Sequence, residues 1–422
     1  MLDPKFIREN KSQVQKMLAK RFKKINLDTL LVLDQKRTKL QTELDQKRAR
    51  RNQIAEQISK KPELRDKLQN EGKKLKDEIS KLETEQGKIQ SQLNEYLALI
   101  PNLISPKTPI GRNDKENVEI KRWGKIPQFD FNLKDHLELG EKLDLLDFES
   151  GAKVAGSQFY FLKNEAVLLE FALSMYAINL LSKEGFNLVL TPDLAKERFY
   201  TGTGYLPRGP EAQTYEIKDS DLGLIATAEV ALASLHADQI LNEEELPKKY
   251  CGFSHCFRVE AGSYGKYSRG LYRVHQFSKV EMYVYCKPDN SQEMHEFILS
   301  CEEKIWQGLD IPYRVMNICS GDLSAQSART FDIEAWMPGR GDWGEVTSAS
   351  NTTDYQARRL GARYRKKNGQ VEYLHTLNGT TIAVSRALIA ILENYQRKDG
   401  SVEIPKVLQS YVGKKVIQPS KT

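Results

Sequence analysis

Phe257-Arg258-Val259-Glu260 … Arg269-Gly270-Leu271-Tyr272-Arg273-Val274-His275-Gln276-Phe277 is the stretch on which the reading of this chain turns. It reads as two strands joined by a glycine-bearing loop. Side chains alternate faces along a strand. Arg258 and Glu260 are therefore expected on one face of the first run, and Arg273, His275, Phe277, Lys279 and Glu281 on one face of the second. Gly262, Gly265 and Gly270 let the loop bend or let a ligand approach closely. Arginine forks match phosphate oxygens and stay charged, and an aromatic ring can stack on a base. Together they suit a planar ring carrying several phosphates. A salt-bridged surface hairpin has the same composition; the order of the residues separates the two.

That order resembles motif 2 of the class II aminoacyl-tRNA synthetases, and within them the seryl-tRNA synthetases. Their version reads close to F-R-x-E-A-G-x-x-G-x-x-x-R-G-L-x-R-x-H-Q-F-x-K-V-E, and residues 257–281 read FRVEAGSYGKYSRGLYRVHQFSKVE. Lys266-Tyr267-Ser268 departs from the Arg-Asp-Thr of many relatives, which touches loop contacts to the tRNA acceptor end.

The chain has 422 residues, room for two domains or one large domain with an appendage. A net charge of +7 favours a polyanionic partner. Five cysteines, at 251, 256, 286, 301 and 319, form no CxxC pair, so free thiols in a reducing compartment are expected and zinc is not. Cys251, His255 and Cys256 cluster, with strand packing the simpler explanation. No uninterrupted apolar run reaches the roughly 18 residues of a membrane span. MLDPKFIREN reads as a mature start without a signal core. A cytoplasmic protein with no membrane partner is expected.

Residues 30–100 contain one proline and show explicit heptad spacing. Leu33, Arg37, Leu40, Leu44, Lys47, Arg51, Ile54 and Ile58 step by four and three. A second series runs from Leu68 through Gly72, Leu75, Ile79, Leu82, Gln86, Ile89, Leu93 and Tyr96 to Ile100, beyond a break at Ser59-Lys60-Lys61-Pro62. Two seams separated by a proline turn predict an antiparallel two-helix coiled coil. Residues 32–61 carry nine Lys+Arg against four Asp+Glu. A basic rod suits RNA backbone, although any single lysine there is more simply a solvated side chain. Pro101, Pro106, Pro109, Gly111 and Pro127 mark a linker. The expected domains are 1–104, with the arm at about 30–100, and 105–422.

Further segments extend the resemblance. A helix around 164–184 and the stop, short apolar core strand and turn of Gly185-Phe186-Asn187-Leu188-Val189-Leu190-Thr191-Pro192 are similar to motif 1, which forms the family's dimer interface. Leu224-Ile225-Ala226-Thr227-Ala228-Glu229 resembles the serine-binding segment, with Ala226 where relatives have proline. Trp343-Gly344-Glu345-Val346-Thr347-Ser348 resembles the segment that holds ATP and Mg²⁺. Strand parity puts 345 and 348 on opposite faces, so a bulge or strand end is required. Asn378-Gly379-Thr380-Thr381-Ile382-Ala383-Val384-Ser385-Arg386, read as the opening of an amphipathic helix, resembles motif 3, with Thr381 and Ser385 replacing glycines.

The resemblance implies an α+β fold: an antiparallel sheet of six to seven strands flanked by helices, with an N-terminal antiparallel two-helix coiled-coil arm. It implies a homodimeric ATP- and Mg²⁺-dependent serine–tRNA ligase, with charging of selenocysteine tRNA left open. Serine falls to Thr227, Ala228, Glu229, Arg258, Glu281, Asn378 and Thr380. ATP falls to Arg258, Val259, Glu260, Val274, Phe277, Glu345, Val346, Thr347, Ser348 and Arg386, of which Arg258, Glu345 and Arg386 are the catalytic set. Mg²⁺ falls to Glu345 and Ser348. The tRNA(Ser) falls to Arg37, Lys47, Arg48, Arg50 and Arg51 of the arm and, at the acceptor end, to Arg269. Two alternatives differ in class: a paralogue that activates an amino acid without charging tRNA, which has little use for the arm, and a dead coiled-coil scaffold, which has no use for the motif arginines.

Overall fold

The structure, a computed structural model, describes residues 2–205, 213–260 and 269–419. Two compact units divide the chain, residues 1–101 and 102–422.

In the first unit, helices Pro4–Glu9 and Lys11–Lys20 precede two long helices, α1 (Leu27–Lys60) and α2 (Arg65–Leu99). Asn26 caps α1 by accepting from the Asp28 amide. Pro62 opens the single 3₁₀ turn between them. At about 1.5 Å per residue each helix is about 50 Å long. Leu44 and Ile54 of α1 and Leu75, Ile79 and Leu93 of α2 are buried, which is the expected seam. Lys47–Glu78 (2.7 Å), Arg48–Glu83 (2.7 Å) and Arg50–Glu71 (2.8 Å) cross between the helices. Gln41 with Gln86, Lys47 with Glu78 and Arg50 with Glu71 rise along one helix as they fall along the other, as antiparallel pairing requires. One seam position departs from expectation: Arg51 is exposed. The buried stripe narrows there, and an unpaired guanidinium stays in water.

The second unit is built on an eight-stranded sheet. Its strands are β1 (Val118–Trp123), β2 (Asn187–Leu190), β3 (Lys248–Phe257), β4 (Gln276–Cys286), β5 (Tyr313–Asn317), β6 (Arg329–Met337), β7 (Asp342–Thr353) and β8 (His375–Ala383). The spatial order is β1-β5-β6-β7-β8-β4-β3-β2. Every neighbouring pair is antiparallel except β2 with β3. The expected six to seven antiparallel strands thus become eight with a parallel edge pair.

Helices α3 (Glu165–Lys183), α4 (Ala228–Ser234), α5 (Ser291–Gly308) and α6 (Val384–Asn394) pack around this sheet. Leu169, Leu173, Ala177 and Leu181 of α3 and Ile298, Ile305 and Trp306 of α5 join β4 residues Val280, Met282 and Val284 in one core. By length and composition α3 could cross a membrane; here one stripe is buried in that core, while Val167, Leu168, Phe171 and Met175 face outward. The expectation of a core strand at 187–190 fails: Leu188 and Leu190 are 51% and 80% exposed. A short apolar run reads as buried from sequence, but β2 is a sheet edge.

All five cysteines are free and buried. Cys251 lies in the core beneath α3 and Cys256 packs with Val274, Phe277 and Ala383. His255 turns outward to Asp193 at 2.8 Å. Among the described residues no three His, Cys, Asp or Glu side chains are arranged around a metal position.

Candidate active site

The central strands β4, β8 and β7, with the segments that follow β3 and precede β4, carry an open cleft. Arg258, Glu260, Val274, Phe277, Glu345, Val346, Thr347, Thr380 and Arg386 line it, as do Tyr272, Arg273 and Lys279. Nine of the expected serine and ATP residues therefore converge, from segments up to 128 positions apart.

Local structure explains how. β3 and β4 pair in register from Lys248↔Tyr285 to Phe257↔Gln276. Neither strand extends as far as the parity argument assumed. Arg258 follows the end of β3, Glu260 has φ +52°, and Arg273 and His275 precede β4. Alternation holds for Phe277, Lys279 and Glu281 and fails for the other four. Instead the Arg258 amide donates to the His275 carbonyl, and His275 Nδ1 lies 2.8 Å from the Arg258 carbonyl oxygen and 2.9 Å from the Tyr215 hydroxyl. His275 fixes the backbone under Arg258. The Arg258 guanidinium lies 5.2 Å from the centre of the Phe277 ring. Arg273 pairs with Glu260 at 2.8 Å.

Gly270, at φ +69°, opens the turn into Tyr272; a Cβ there would come within 2.2 Å of His136 Nε2. The Tyr272 ring carries the Arg386 guanidinium at 4.7 Å and that of Arg340 at 4.8 Å. Arg269 is exposed. The departure at Lys266-Tyr267-Ser268, and the glycines at 262 and 265, lie outside the described residues.

The parity difficulty at Glu345 and Ser348 resolves at a bulge. β6 and β7 pair Glu334↔Glu345 but Ile333↔Thr347, leaving Val346 as the extra residue. Glu345 and Ser348 then share a face with Glu334 and Asp332. Arg386 Nη1 sits 2.9 Å from Glu345 Oε1 and donates to the Glu345 carbonyl at 3.0 Å. Burial disfavours the ionised Glu345, but the Arg386 charge overrides it and holds the carboxyl below the ordinary range. Ser348 bonds the Asp332 carboxyl, whose Oδ1 is buried with no partner among the described residues. Carboxylate and hydroxyl oxygens with a spare buried acceptor behind them are the hard donors that Mg²⁺ accepts; the residues fit the ion.

Residues 378–386 are not a helix opening. Asn378 to Ala383 belong to β8, and α6 begins at Val384 with Arg386 in its first turn. Gly379 is required: a Cβ would meet Ile298 Cγ2 at 2.3 Å and Glu302 Oε1 at 2.9 Å. Thr381 is the extra residue of a second bulge, between Thr380↔Glu281 and Ile382↔Val280, and its buried hydroxyl has no partner among the described residues.

A buried polar network lies beside the cleft. Thr227 caps α4 by accepting from the Glu229 amide at 3.1 Å, and Ala228 is fully buried. Glu229 accepts from Asn378 (2.7 Å), Gln356 (2.7 Å) and Tyr205 (2.8 Å). Burial, with Glu281 adding to it, pushes the Glu229 carboxyl above its ordinary range despite those donors. Glu281 pairs with Lys279 at 2.5 Å and accepts from Thr380 at 3.3 Å. Tyr205 and Glu302 escaped the sequence reading. Tyr272 and Lys279 lie in the 257–281 stretch, and Gln356 in Asp354-Tyr355-Gln356-Ala357-Arg358-Arg359, which also follows the family pattern, but none of the three was given a role.

On the arm, four of the five cations expected to meet tRNA hold carboxylates. Arg37 pairs with Asp34 (2.8 Å), and Lys47, Arg48 and Arg50 with the α2 glutamates. Arg51 makes no ion pair with the described residues.

Comparison with known proteins follows the same division of the chain. Residues 1–104 match the family described as Seryl-tRNA synthetase N-terminal domain, and residues 214–395 match tRNA synthetase class II core domain (G, H, P, S and T). The chain is 59% identical to the serine–tRNA ligase of Dictyoglomus thermophilum and 53% identical to that of Rubrobacter xylanophilus, each over 100% of both chains. Among solved structures it resembles seryl-tRNA synthetase from Pyrococcus horikoshii complexed with ATP, with TM-score 0.87 and 41% identity over 100% of both chains. It also resembles the cytoplasmic serine–tRNA ligase of Naegleria fowleri in complex with AMP, with TM-score 0.84 and 33% identity over 100% of this chain and 99% of that one.

Proposed function

The chain belongs to the seryl-tRNA synthetases, and from that premise we propose how its residues divide the work. The enzyme activates L-serine with ATP and transfers the seryl group to the 3′ end of tRNA(Ser). In the first step the serine carboxylate attacks the α-phosphorus and the bond to the pyrophosphate oxygen breaks. In the second, a 3′-terminal ribose hydroxyl attacks the acyl carbonyl and AMP leaves.

The substrate carboxylate is already a nucleophile, so the first step needs no protein base. The work is positioning and charge stabilisation. Arg258 bridges the serine carboxylate and the α-phosphate, and Arg386 holds the γ-phosphate. Phe277 stacks the adenine, whose edge Glu260, Val259 and the Val274 backbone read. Glu345 and Ser348 would hold Mg²⁺, with Val346 and Thr347 shaping that wall; the ion would supply positive charge for the polyphosphate. Before nucleotide enters, Glu345 keeps Arg386 in place. The serine ammonium goes to Glu229 and Thr227, where its charge offsets the burial that raises Glu229. The hydroxyl goes to Glu281 and Thr380, with Ala228 and Asn378 completing the pocket.

The observation that carries this reading is the meeting of Arg258, Phe277, Glu345 and Arg386 around one cleft beside two buried carboxyls. The arm is the tRNA-binding domain; we assign it the backbone of the long variable arm, with Arg51 and the rims of the Arg37, Lys47, Arg48 and Arg50 pairs as contacts, and give Arg269 the acceptor end. The outward apolar faces of α3 and β2 support a homodimer, and five free thiols support a reducing cytoplasm.

ATP–pyrophosphate exchange with serine, alanine, threonine and cysteine, followed by charging with and without residues 1–101, tests the whole. Serine-dependent exchange, with charging that collapses when the arm is removed, is expected. Exchange without charging by the intact chain would point to an amino-acid-activating paralogue, and no exchange at all to a scaffold.

A further inference from the structure

We propose that Lys279 determines specificity by holding Glu281 as an ion-paired, acceptor-only carboxylate that takes its hydrogen bond from the hydroxyl of the substrate. The inference rests on the assignment of Glu281 and Thr380 to that hydroxyl.

Lys279 and Glu281 stand two residues apart on β4 and share a face. They are 4% and 1% exposed. Nζ lies 2.5 Å from Glu281 Oε2, and both groups touch Thr380 Oγ1, at 3.4 and 3.3 Å. Thr380 is directly opposite Glu281 in the β8–β4 register, and the bulge at Thr381 brings Ala383 opposite Lys279. Lys279 lines the cleft; it is therefore at the substrate and not merely beneath it.

Fold stability does not call for this pair. A buried ion pair is often matched or bettered by apolar residues of the same volume. What the pair supplies is polarity. An ionised carboxylate only accepts hydrogen bonds, whereas a carboxylic acid or an amide also donates. With the ammonium against it, the subsite demands a donor. Serine brings one, cysteine a weak one and alanine none. Threonine brings the same hydroxyl, so its rejection is a matter of space and is independent of Lys279. The chain thus separates two tests of the side chain: polarity through Lys279 and Glu281, and volume through the surrounding walls.

The test measures kcat/KM in ATP–pyrophosphate exchange for serine, alanine, cysteine and threonine, using the full-length chain, Lys279→Met and the double variant Lys279→Met with Glu281→Gln. Lys279→Met is expected to lower serine kcat/KM on the order of 100-fold. Its preference for serine over alanine and cysteine contracts by about tenfold or more. The serine-to-threonine ratio and the KM for ATP are expected to move less than about threefold. The double variant regains the melting temperature lost in the single one, but not the preference, because the amide donates as well as accepts. Equal loss for all four amino acids in Lys279→Met would overturn the proposal and leave Lys279 a structural role. So would a double variant with the original preference, a readout that stands even where Lys279→Met alone does not fold. Absence of serine-dependent exchange in the unaltered chain would instead overturn the serine-site assignment itself.

Discussion

At the scale of single residues, burial decides which side chains titrate where. His295 on α5 is 2% exposed, its Nε2 lies 2.8 Å from the Ala349 carbonyl oxygen, and its ring stacks on Phe331 at 4.8 Å. Burial lowers its pKa to about 4, with the carbonyl acceptor opposing. The unfolded chain takes up this proton near the ordinary value of 6.5 and the native chain does not. Stability therefore falls as pH drops from about 6.5 toward 4, by up to roughly 3 kcal/mol from this group. His295→Gln should flatten that part of the profile relative to the unaltered chain in urea unfolding followed across this range. Equal slopes would show that His295 gains its proton within the fold. At this same scale the motif residues Arg258, Phe277, Glu345 and Arg386 were legible, because each is a distinctive side chain in a distinctive order. Tyr205 and Glu302 were not. They reach the network from a loop and a helix with no local pattern to announce them.

Elements bring those residues into place, and their irregularities matter most. Regular alternation would have split Glu345 from Ser348; one extra residue at Val346 restores them to one face, and a second at Thr381 serves the neighbouring strand. The need for the first bulge could be inferred from parity, because two residues with one expected role stood on opposite faces. Its position could not, since a bulge is set by tertiary pairing and leaves no composition mark. The arm shows the reverse case. Its helices were plain in the heptads, yet the fate of each cation was hidden, because cross-helix partners depend on the stagger of the two helices. Arg51, solvent-exposed and unpaired among the described residues, is the cation free to meet a phosphate without first losing a carboxylate. Arg51→Ala should weaken tRNA binding and lower the slope of log K against log salt by about 1, with thermal stability unchanged. An unaltered slope would remove Arg51 from the contact set.

For the whole molecule, the exposed apolar surface of α3 and β2 is the feature that a single chain leaves unexplained. Val167, Leu168, Phe171, Met175, Leu188 and Leu190 are all more than a third exposed, on two consecutive elements. The sequence reading took β2 for core because apolarity signals burial without saying whether the same chain provides it. Leu190→Asp with Phe171→Asp should convert the protein to a monomer at micromolar concentration in sedimentation velocity. An unaltered chain that is already monomeric would end the homodimer reading.

The buried cysteines open a practical route. Burial raises the Cys251, Cys286 and Cys301 thiols to about 12 and moves Cys256 in the same direction, and Cys319 is buried as well. At neutral pH the first four hold their protons and offer little to an alkylating dye, since the thiolate is the nucleophile, and burial shields Cys319 from the reagent. A cysteine installed at Glu63, exposed in the turn between α1 and α2, would then be the preferred handle for a fluorophore. Movement of the arm tip during tRNA capture could be followed by light with all five native thiols left in the protein.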